Sequence, residues 1–420
     1  MSKTPLTPAE GAVFEADDIA PSAGPALVPA HYGDPSGEQW ALEAGRALVD
    51  RADLAVITVT GPDRATWLTS ITSQVLTGMT PEDSRELLVL DPQGHVEYAA
   101  TASDDGETLW LITEGENAEA LAQWLDSMRF MLRVEVAVRG DVTVLGSVGD
   151  ASLNGMTGSP GWVLTWADPW PGVAEGGTQY HQGRHPGEAA TFYLHIVRAD
   201  QVNECVAHWI ASAEAPSSET SDSAATTAAS NAQRPPRPII APRPRHMAGL
   251  LAWEAARIAA WRPRATTEVD GRTIPAEVDW LRTAVHIDKG CYRGQESIAR
   301  VLNLGRPPRR LTFLHLDGSR GDLPEVGAAI ERKGRRVGTI TSVARHADLG
   351  PIALALISRN IPSDEVFDLD GIAAAQELII PLDGRATASP KERPGLGHTN
   401  PELRRPDVPA TGGGGSIGGR

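Results

Sequence analysis

The sequence predicts an α+β protein that ends in a small β-barrel. Three observations lead there. Strands and helices fall into separate runs instead of strict alternation, an early pair of strands is joined by turn chemistry, and the last third is a series of short strands broken by turns. At 420 residues the chain exceeds the size at which one core stops growing, so two or three domains are expected.

Residues 1–30 are rich in Pro, Ala and Asp without a period and are expected as a flexible N-terminus, with order beginning near His31. A first α+β part is expected over 31–150. Ala55 to Thr60 is β-branched and strand-like, and Arg64 to Ile71 follows Gly61-Pro62-Asp63 as an amphipathic helix. Leu87–Leu90 and His95–Ala100 flank Asp91-Pro92-Gln93-Gly94, which predicts a hairpin. Thr108 to Ile112 continues the sheet, and Ala118 to Met131 carries Leu121, Trp124, Leu125 and Met128 at helical spacing.

A second α+β part is expected over 151–305. Residues 150–190 are Gly, Pro and Trp rich and carry no readable period, whereas Phe192 to Val197 and then Val202 to Ala213 read as strand and helix. This part is interrupted at 214–245 by a Ser/Thr/Ala-rich stretch and a proline-rich basic one, expected as a disordered loop. Ala248 to Ala260 is helical in period. The barrel is expected over 306–386, from strands at Leu311–Leu316, Arg336–Ser342, Ile352–Ile357 and Glu377–Pro381, followed by a disordered tail over 387–420.

A formal charge of −16 argues against general attraction to nucleic acid or anionic membrane. The charge is uneven: from Arg234 to Arg310 there are 15 Lys/Arg against 7 Asp/Glu. That segment is either a cradle for a small polyanion or a set of solvated faces. Two cysteines, Cys205 and Cys291, are too few for a disulfide framework, a cluster or a structural zinc, so no metal site is expected and a reducing cytoplasm fits. No run approaches the roughly 18 apolar residues of a membrane span, and the N-terminus lacks a basic-then-apolar leader. A monomer is expected.

The sharpest motif is Lys289-Gly290-Cys291-Tyr292-Arg293-Gly294-Gln295-Glu296. Two glycines four apart let the backbone bend on either side of a thiol, and Lys289 and Arg293 flank it as cations that favour a thiolate. The other reading makes Cys291 a small buried hydrophobe in a glycine-rich turn. Upstream, Glu268, Asp270 and Glu277 place three carboxylates within ten residues. They are either a surface loop or acceptors for the paired N–H groups of an aminopyrimidine.

The octet from Lys289 to Glu296 resembles the signature of the YgfZ family of folate-binding proteins, which are related to mitochondrial proteins that help mature certain iron–sulfur enzymes. The likeness extends in order through Val59-Thr-Gly-Pro-Asp-Arg64 with Ser73-Gln74, Leu87 to Val96, Arg257-Ile258, Thr273-Ile-Pro275-Ala-Glu277, and Gly338 with Gly350-Pro-Ile-Ala-Leu-Ala-Leu356. It implies the glycine-cleavage T-protein scaffold, α+β folate-binding domains plus a C-terminal barrel around a folate channel. It also implies tetrahydrofolate or a derivative as cofactor, Arg257, Glu268 and Glu277 on the folate side, and Lys289, Cys291, Tyr292 and Gln295 in a functional loop, with Tyr292 and Gln295 toward the folate. The basic segment would suit a polyglutamate tail.

Two departures stand against the T-protein reaction. Paired aspartates follow the first hairpin glycine in T-proteins, where this chain has Gly94-His-Val-Glu97-Tyr98, leaving Glu97, Asp104 or Asp105 as substitutes. The Gly-Tyr-Thr-Gly-Glu element is absent between residues 140 and 200. The expected function is therefore a folate-holding accessory that assists assembly or repair of iron–sulfur client proteins through Cys291, rather than an enzyme in the ordinary sense. The alternative is a folate-dependent aminomethyltransferase or demethylase, and a third reading is a binding module recruited through the proline-rich loop.

Overall fold

The computed structural model describes residues 4–14, 28–149, 156–212 and 244–390. Most of the expected loop at 214–245, part of the N-terminus and the tail beyond Pro390 lie outside the described residues.

Three sheets build an α+β structure. The chain enters through α1 (Pro35–Glu43), where Asp34 accepts from the Gly37 N–H at 3.0 Å and Pro35 supplies a fixed φ at the first position. β1 (Ala47–Asp50) follows. The next run is β2 (Leu54–Thr60), α2 (Arg64–Ile71), β3 (Ser84–Leu90), β4 (Val96–Asp104), β5 (Thr108–Glu114), α3 (Ala118–Met128) and β6 (Glu135–Arg139). Its strands form an antiparallel sheet in the order β3-β4-β5-β2-β6, with the expected hairpin between β3 and β4. α3 stops three residues before Met131, because Phe130 adopts a left-handed φ of 47° that no helix continues through.

β7 (Val142–Val148), β8 (Trp162–Ala167) and β9 (Phe192–Arg198) begin the second sheet, α4 (Val202–Ala211) packs on it, and β10 (His246–Ala248) leads into α5 (Leu250–Ala259). The order is β10-β1-β7-β9-β8, with β1 and β10 parallel. Residues 31–150 therefore feed two sheets. The change occurs between β6 and β7, at Gly140-Asp141, and β1 belongs with the second sheet.

Next come the single turn α6 (Ala265–Glu268) and α7 (Gln295–Leu304). The barrel then uses β11 (Arg309–Leu316), β12 (Ala329–Arg332), β13 (Arg335–His346), β14 (Gly350–Ser358), β15 (Val366–Leu369) and β16 (Ile372–Leu378). Its order is β12-β13-β14-β11-β16-β15, and edge strands β12 and β15 come together to nearly close it. The last strand lies earlier than the Glu377–Pro381 expected from sequence. Ile372 and Ala374 alternate into the barrel core, while Ile379 and Ile380 leave it for the core beneath Trp280. Strands β12 and β15, four residues each, are too short to have shown a period.

Two further boundaries differ from expectation. Leu6 is buried among Leu48, Leu145 and Trp209, Thr4 Oγ1 donates to Asp50 at 2.6 Å, and Val13 bridges His31. Residues 4–14 thus have a defined place because Leu6 fills a hydrophobic gap beside β1. At the other end, Thr387 N–H donates to the Gln179 carbonyl at 2.9 Å, so order continues past Ala386.

The motif loop is seated on the first hairpin by two glycines. Gly94 at the hairpin turn and Gly294 before α7 both have left-handed φ, 86° and 82°. They stand so close that a Cβ on Gly294 would lie 2.7 Å from the Asp91 carbonyl oxygen and 3.0 Å from the Gly94 Cα. Gly290 has no positive φ and open space around its Cβ position, so only the second motif glycine is needed for the bend. Gly294→Ala is expected to lower unfolding stability by about 1–3 kcal/mol in urea titrations, and Gly290→Ala to stay within about 0.5 kcal/mol. Equal effects of the two substitutions would contradict this seating.

Candidate functional site

A cavity of about 120 Å³ lies between the two five-stranded sheets. The first sheet contributes Leu54, Glu86, Ala99 to Thr101 and Ile112 to Glu114 to its walls. The second contributes Trp166, Asp168, Phe192 and Leu194, and α5 adds Trp253 and Arg257. Arg51, Arg262 to Ala265 and Trp280 complete it. Two of these groups are delivered by strained backbone. Trp261 and Asp279 hold left-handed φ values of 58° and 59°, immediately before Arg262 and Trp280. A bulky residue in that region costs about 1–3 kcal/mol and persists only where packing fixes it. Trp261 and Asp279 are both buried.

Four arginines and six carboxylates form one connected network around this cavity. Arg51 holds Asp53 through two bonds of 2.8 Å, and Arg264 joins Asp53 at 3.0 Å to Glu114 at 2.7 Å. Arg257 lies 2.7 Å from Glu254 and 3.1 Å from Glu268. Arg262 bridges Glu86 at 2.7 Å and Asp168 at 2.9 Å. The barrel joins in through a bulge: β13 slips register between Ile340 and Ser342, which turns the Ser342 hydroxyl onto both Glu268 and Arg257.

The network divides its carboxylates into two kinds. Burial alone would raise Asp53, but Arg51 and Arg264 hold it below the usual range. Burial raises Asp168, and the nearby Glu86 charge adds to this against the pull of Arg262, so the carboxyl rises to about 6. Asp168 is thus a buried acceptor poised near neutrality among aromatic side chains, and Arg262 stacks on Trp170 at 5.0 Å. Asp168 lies in the Trp-rich stretch that carries no readable period, and its only sequence signal is a lone acid after Trp166.

The residues expected from sequence separate into two places. Arg257 lines the cavity and Glu268 stands directly behind it. Glu277 is not on the cavity wall. It accepts from Arg309 Nε and Nη2 at 3.0 and 2.8 Å and bonds the Ile274 and Arg309 backbone N–H groups, which ties β11 to the chain before the motif. Lys289, Cys291, Tyr292 and Gln295 are also absent from the cavity wall.

The motif loop has its own logic. The Lys289 ammonium donates to the Thr69 and Thr72 carbonyls at the C-terminal end of α2 and lies 4.4 Å over the Tyr292 ring. Burial pushes it down to about 8. Arg293 pairs with Glu97 at 2.7 Å. Both cations expected to favour a Cys291 thiolate are therefore committed elsewhere, and Lys289 serves to pin the loop. Gln295 donates to the Lys289 carbonyl at 3.1 Å, Tyr292 is buried in the central core, and Cys291 is left exposed.

Removing Arg262 would leave Glu86 and Asp168 buried without their cation. Arg262→Met is expected to cost about 3–5 kcal/mol of unfolding stability at pH 8. The cost should shrink at pH 5, because unpaired carboxylates of raised pKa take up protons as pH falls. Urea unfolding at both pH values checks this, and an equal cost at pH 5 and pH 8 would count against it.

No family model matches the chain. It is 36% identical over 102 residues to the tRNA-modifying protein YgfZ of Edwardsiella ictaluri, covering 23% of this chain and 30% of that protein. It is 29% identical over 135 residues to the protein of that name in Serratia proteamaculans, covering 31% and 40%. For Escherichia coli strain SMS-3-5 the figures are 30% over 120 residues, covering 27% and 36%. The matches thus span well under half the length of these relatives. The crystal structure of the glycine cleavage system aminomethyltransferase T from Bartonella henselae superposes with a TM-score of 0.63 at 16% identity, covering 89% of this chain and 95% of that one. In sequence, then, the chain is similar to YgfZ proteins, and in architecture it has the fold of aminomethyltransferase T.

Proposed function

We propose that the central cavity holds a reduced folate and that the chain is an accessory to iron–sulfur cluster proteins, presenting Cys291 to them from the motif loop. The observation that carries the folate reading is Asp168, a carboxylate of raised pKa within a cavity walled by Trp166, Phe192, Trp253 and Trp280. A pterin is flat enough to pack on such walls, and its aminopyrimidine edge presents the adjacent N–H donors that a carboxylate accepts in pairs. Tetrahydrofolate is the form named by the resemblance.

The accessory role rests on where the other carboxylates are spent. Glu97 pairs with Arg293, Asp104 with Arg64 at 2.9 Å, and Asp105 accepts from the Trp110 indole at 2.7 Å. None of the three lines the cavity, so none is placed to serve a one-carbon transfer there. The thiol lies on a separate, exposed loop, where a partner protein can reach it. An influence on tRNA, which the relatives' name states, would in this account pass through a client protein, since a net charge of −16 opposes direct RNA contact. Cys205 and Cys291 are both free thiols, which suits a reducing cytoplasm.

Calorimetric titration with tetrahydrofolate should show binding that weakens by about tenfold in Asp168→Asn. In the wild type, affinity should fall as pH drops below about 6, because Asp168 is then protonated and loses its acceptor character. Cys291→Ala should keep both fold and folate affinity while losing the support of iron–sulfur enzyme activity in cells. Release of methylene-tetrahydrofolate from a methylamine donor would replace the accessory reading with a transferase.

A further inference from the structure

Asp279 precedes Trp280 of the cavity wall, is completely buried and lies outside the arginine network. Neither of its carboxylate oxygens has a partner at full hydrogen-bond geometry. The groups around it are few. His185 Nε2 stands 3.8 Å away, beyond hydrogen-bond reach, while His185 Nδ1 accepts from the Gly187 N–H at 3.0 Å. The Tyr180 N–H faces the carboxyl, and the buried Tyr180 hydroxyl has no partner of its own. His181 packs edge-on against His185, with ring centres 6.1 Å apart. The cation in this cluster is Arg282, buried like Asp279 and within the field of Glu188, yet no ion pair joins Arg282 to Asp279 among the described residues. Its guanidinium donates instead to the Trp170 carbonyl at 3.0 Å, the Pro171 carbonyl at 3.3 Å and Gln179 Oε1 at 3.2 Å.

A buried acid beside a buried cation that is bonded elsewhere is tolerated only while the acid is neutral. Burial accordingly raises Asp279 to about 7 against the pull of Arg282, and it holds His185 near 3, so the imidazole does not take the proton in its place. Once Asp279 ionises, a charge-assisted pair with Arg282 outweighs bonds to neutral carbonyls. Trp170 is the link to the cavity, because its N–H donates to Asp168 at 3.0 Å and its ring carries Arg262. We propose that Arg282 is a two-position latch set by the proton on Asp279: with the proton on, the guanidinium holds the Trp170 and Pro171 carbonyls, and with the proton off it turns to Asp279 and frees the segment that steadies Asp168. The proton leaves to solvent. The latch is closed below about pH 7 and open above it, whatever the cavity binds.

Hydrogen–deuterium exchange of the whole chain at pH 6 and pH 8.5, each corrected for the intrinsic exchange rate, tests the latch in the wild type and in Asp279→Asn. Asparagine suits the left-handed backbone at this position and stays neutral at both pH values. In the wild type, protection of the amides around Trp170 should fall by about tenfold from pH 6 to pH 8.5, while strand β14 keeps its protection. In Asp279→Asn the protection around Trp170 should stay high at both. Titration of the Asp279 carboxyl by carbon NMR, in wild-type protein with labelled aspartate, keeps the proposal testable if the variant does not fold, and a midpoint near pH 7 is expected. Equal protection of the wild type at the two pH values, a drop that persists in Asp279→Asn, or a carboxyl that titrates below pH 5 overturns the latch.

Discussion

Four arginines are buried where both sheets, helix α5 and the barrel meet: Arg51 is held by Asp53 beside it in the chain, and Arg257, Arg262 and Arg264 are each held by carboxylates from two different segments. Taking such charges out of water is costly, and the cost is recovered only when every partner is in position. Arg264 joins Asp53 before β2 to Glu114 at the end of β5, Arg262 joins β3 to the end of β8, and the pair of Arg257 and Glu268 meets Ser342 of the barrel. Misplacing any one element leaves a buried charge unpaired, so the network fixes how the three sheets are assembled.

Local features that break ordinary rules become intelligible against that constraint. Left-handed Trp261 and Asp279 aim Arg262 and Trp280 at the cavity, and the bulge in β13 aims Ser342 at the Arg257 pair. Six carboxylates against four arginines also leave more negative charge than the cations neutralise, which is one reason Asp168 rises toward neutrality while Asp53 stays low. Asp168, which accepts from Arg262 and from the Trp170 N–H, is thus the member of the network whose carboxyl stands nearest neutrality.

The sequence made the elements legible where periodicity was strong. The β3–β4 hairpin, α2, β9 and the central barrel strands lie where their apolar runs place them. It was silent where structure arises from contacts distant in the chain. The parallel pairing of β1 with β10 joins residue 47 to residue 246, and no local pattern encodes it. Arg257 and Glu268 were recognisable by resemblance, yet Arg51, Glu86, Glu114 and Asp168 were not, since a lone charged residue carries its meaning only once folding gives it a partner. Lys289 shows the reverse: two positions from Cys291 in sequence, it faces the carbonyls of α2 instead.

Cavity and thiol are separate features joined by one core. Trp280 lines the cavity, Tyr292 follows Cys291, and both are buried in the same apolar cluster, so a ligand that orders the first can steady the loop that carries the second. The most direct measurement is a crystal structure of the protein with tetrahydrofolate. The account predicts the pterin between the two sheets, with its aminopyrimidine edge within hydrogen-bond distance of Asp168. A folate bound elsewhere, or an unchanged empty cavity at saturating ligand, would contradict it.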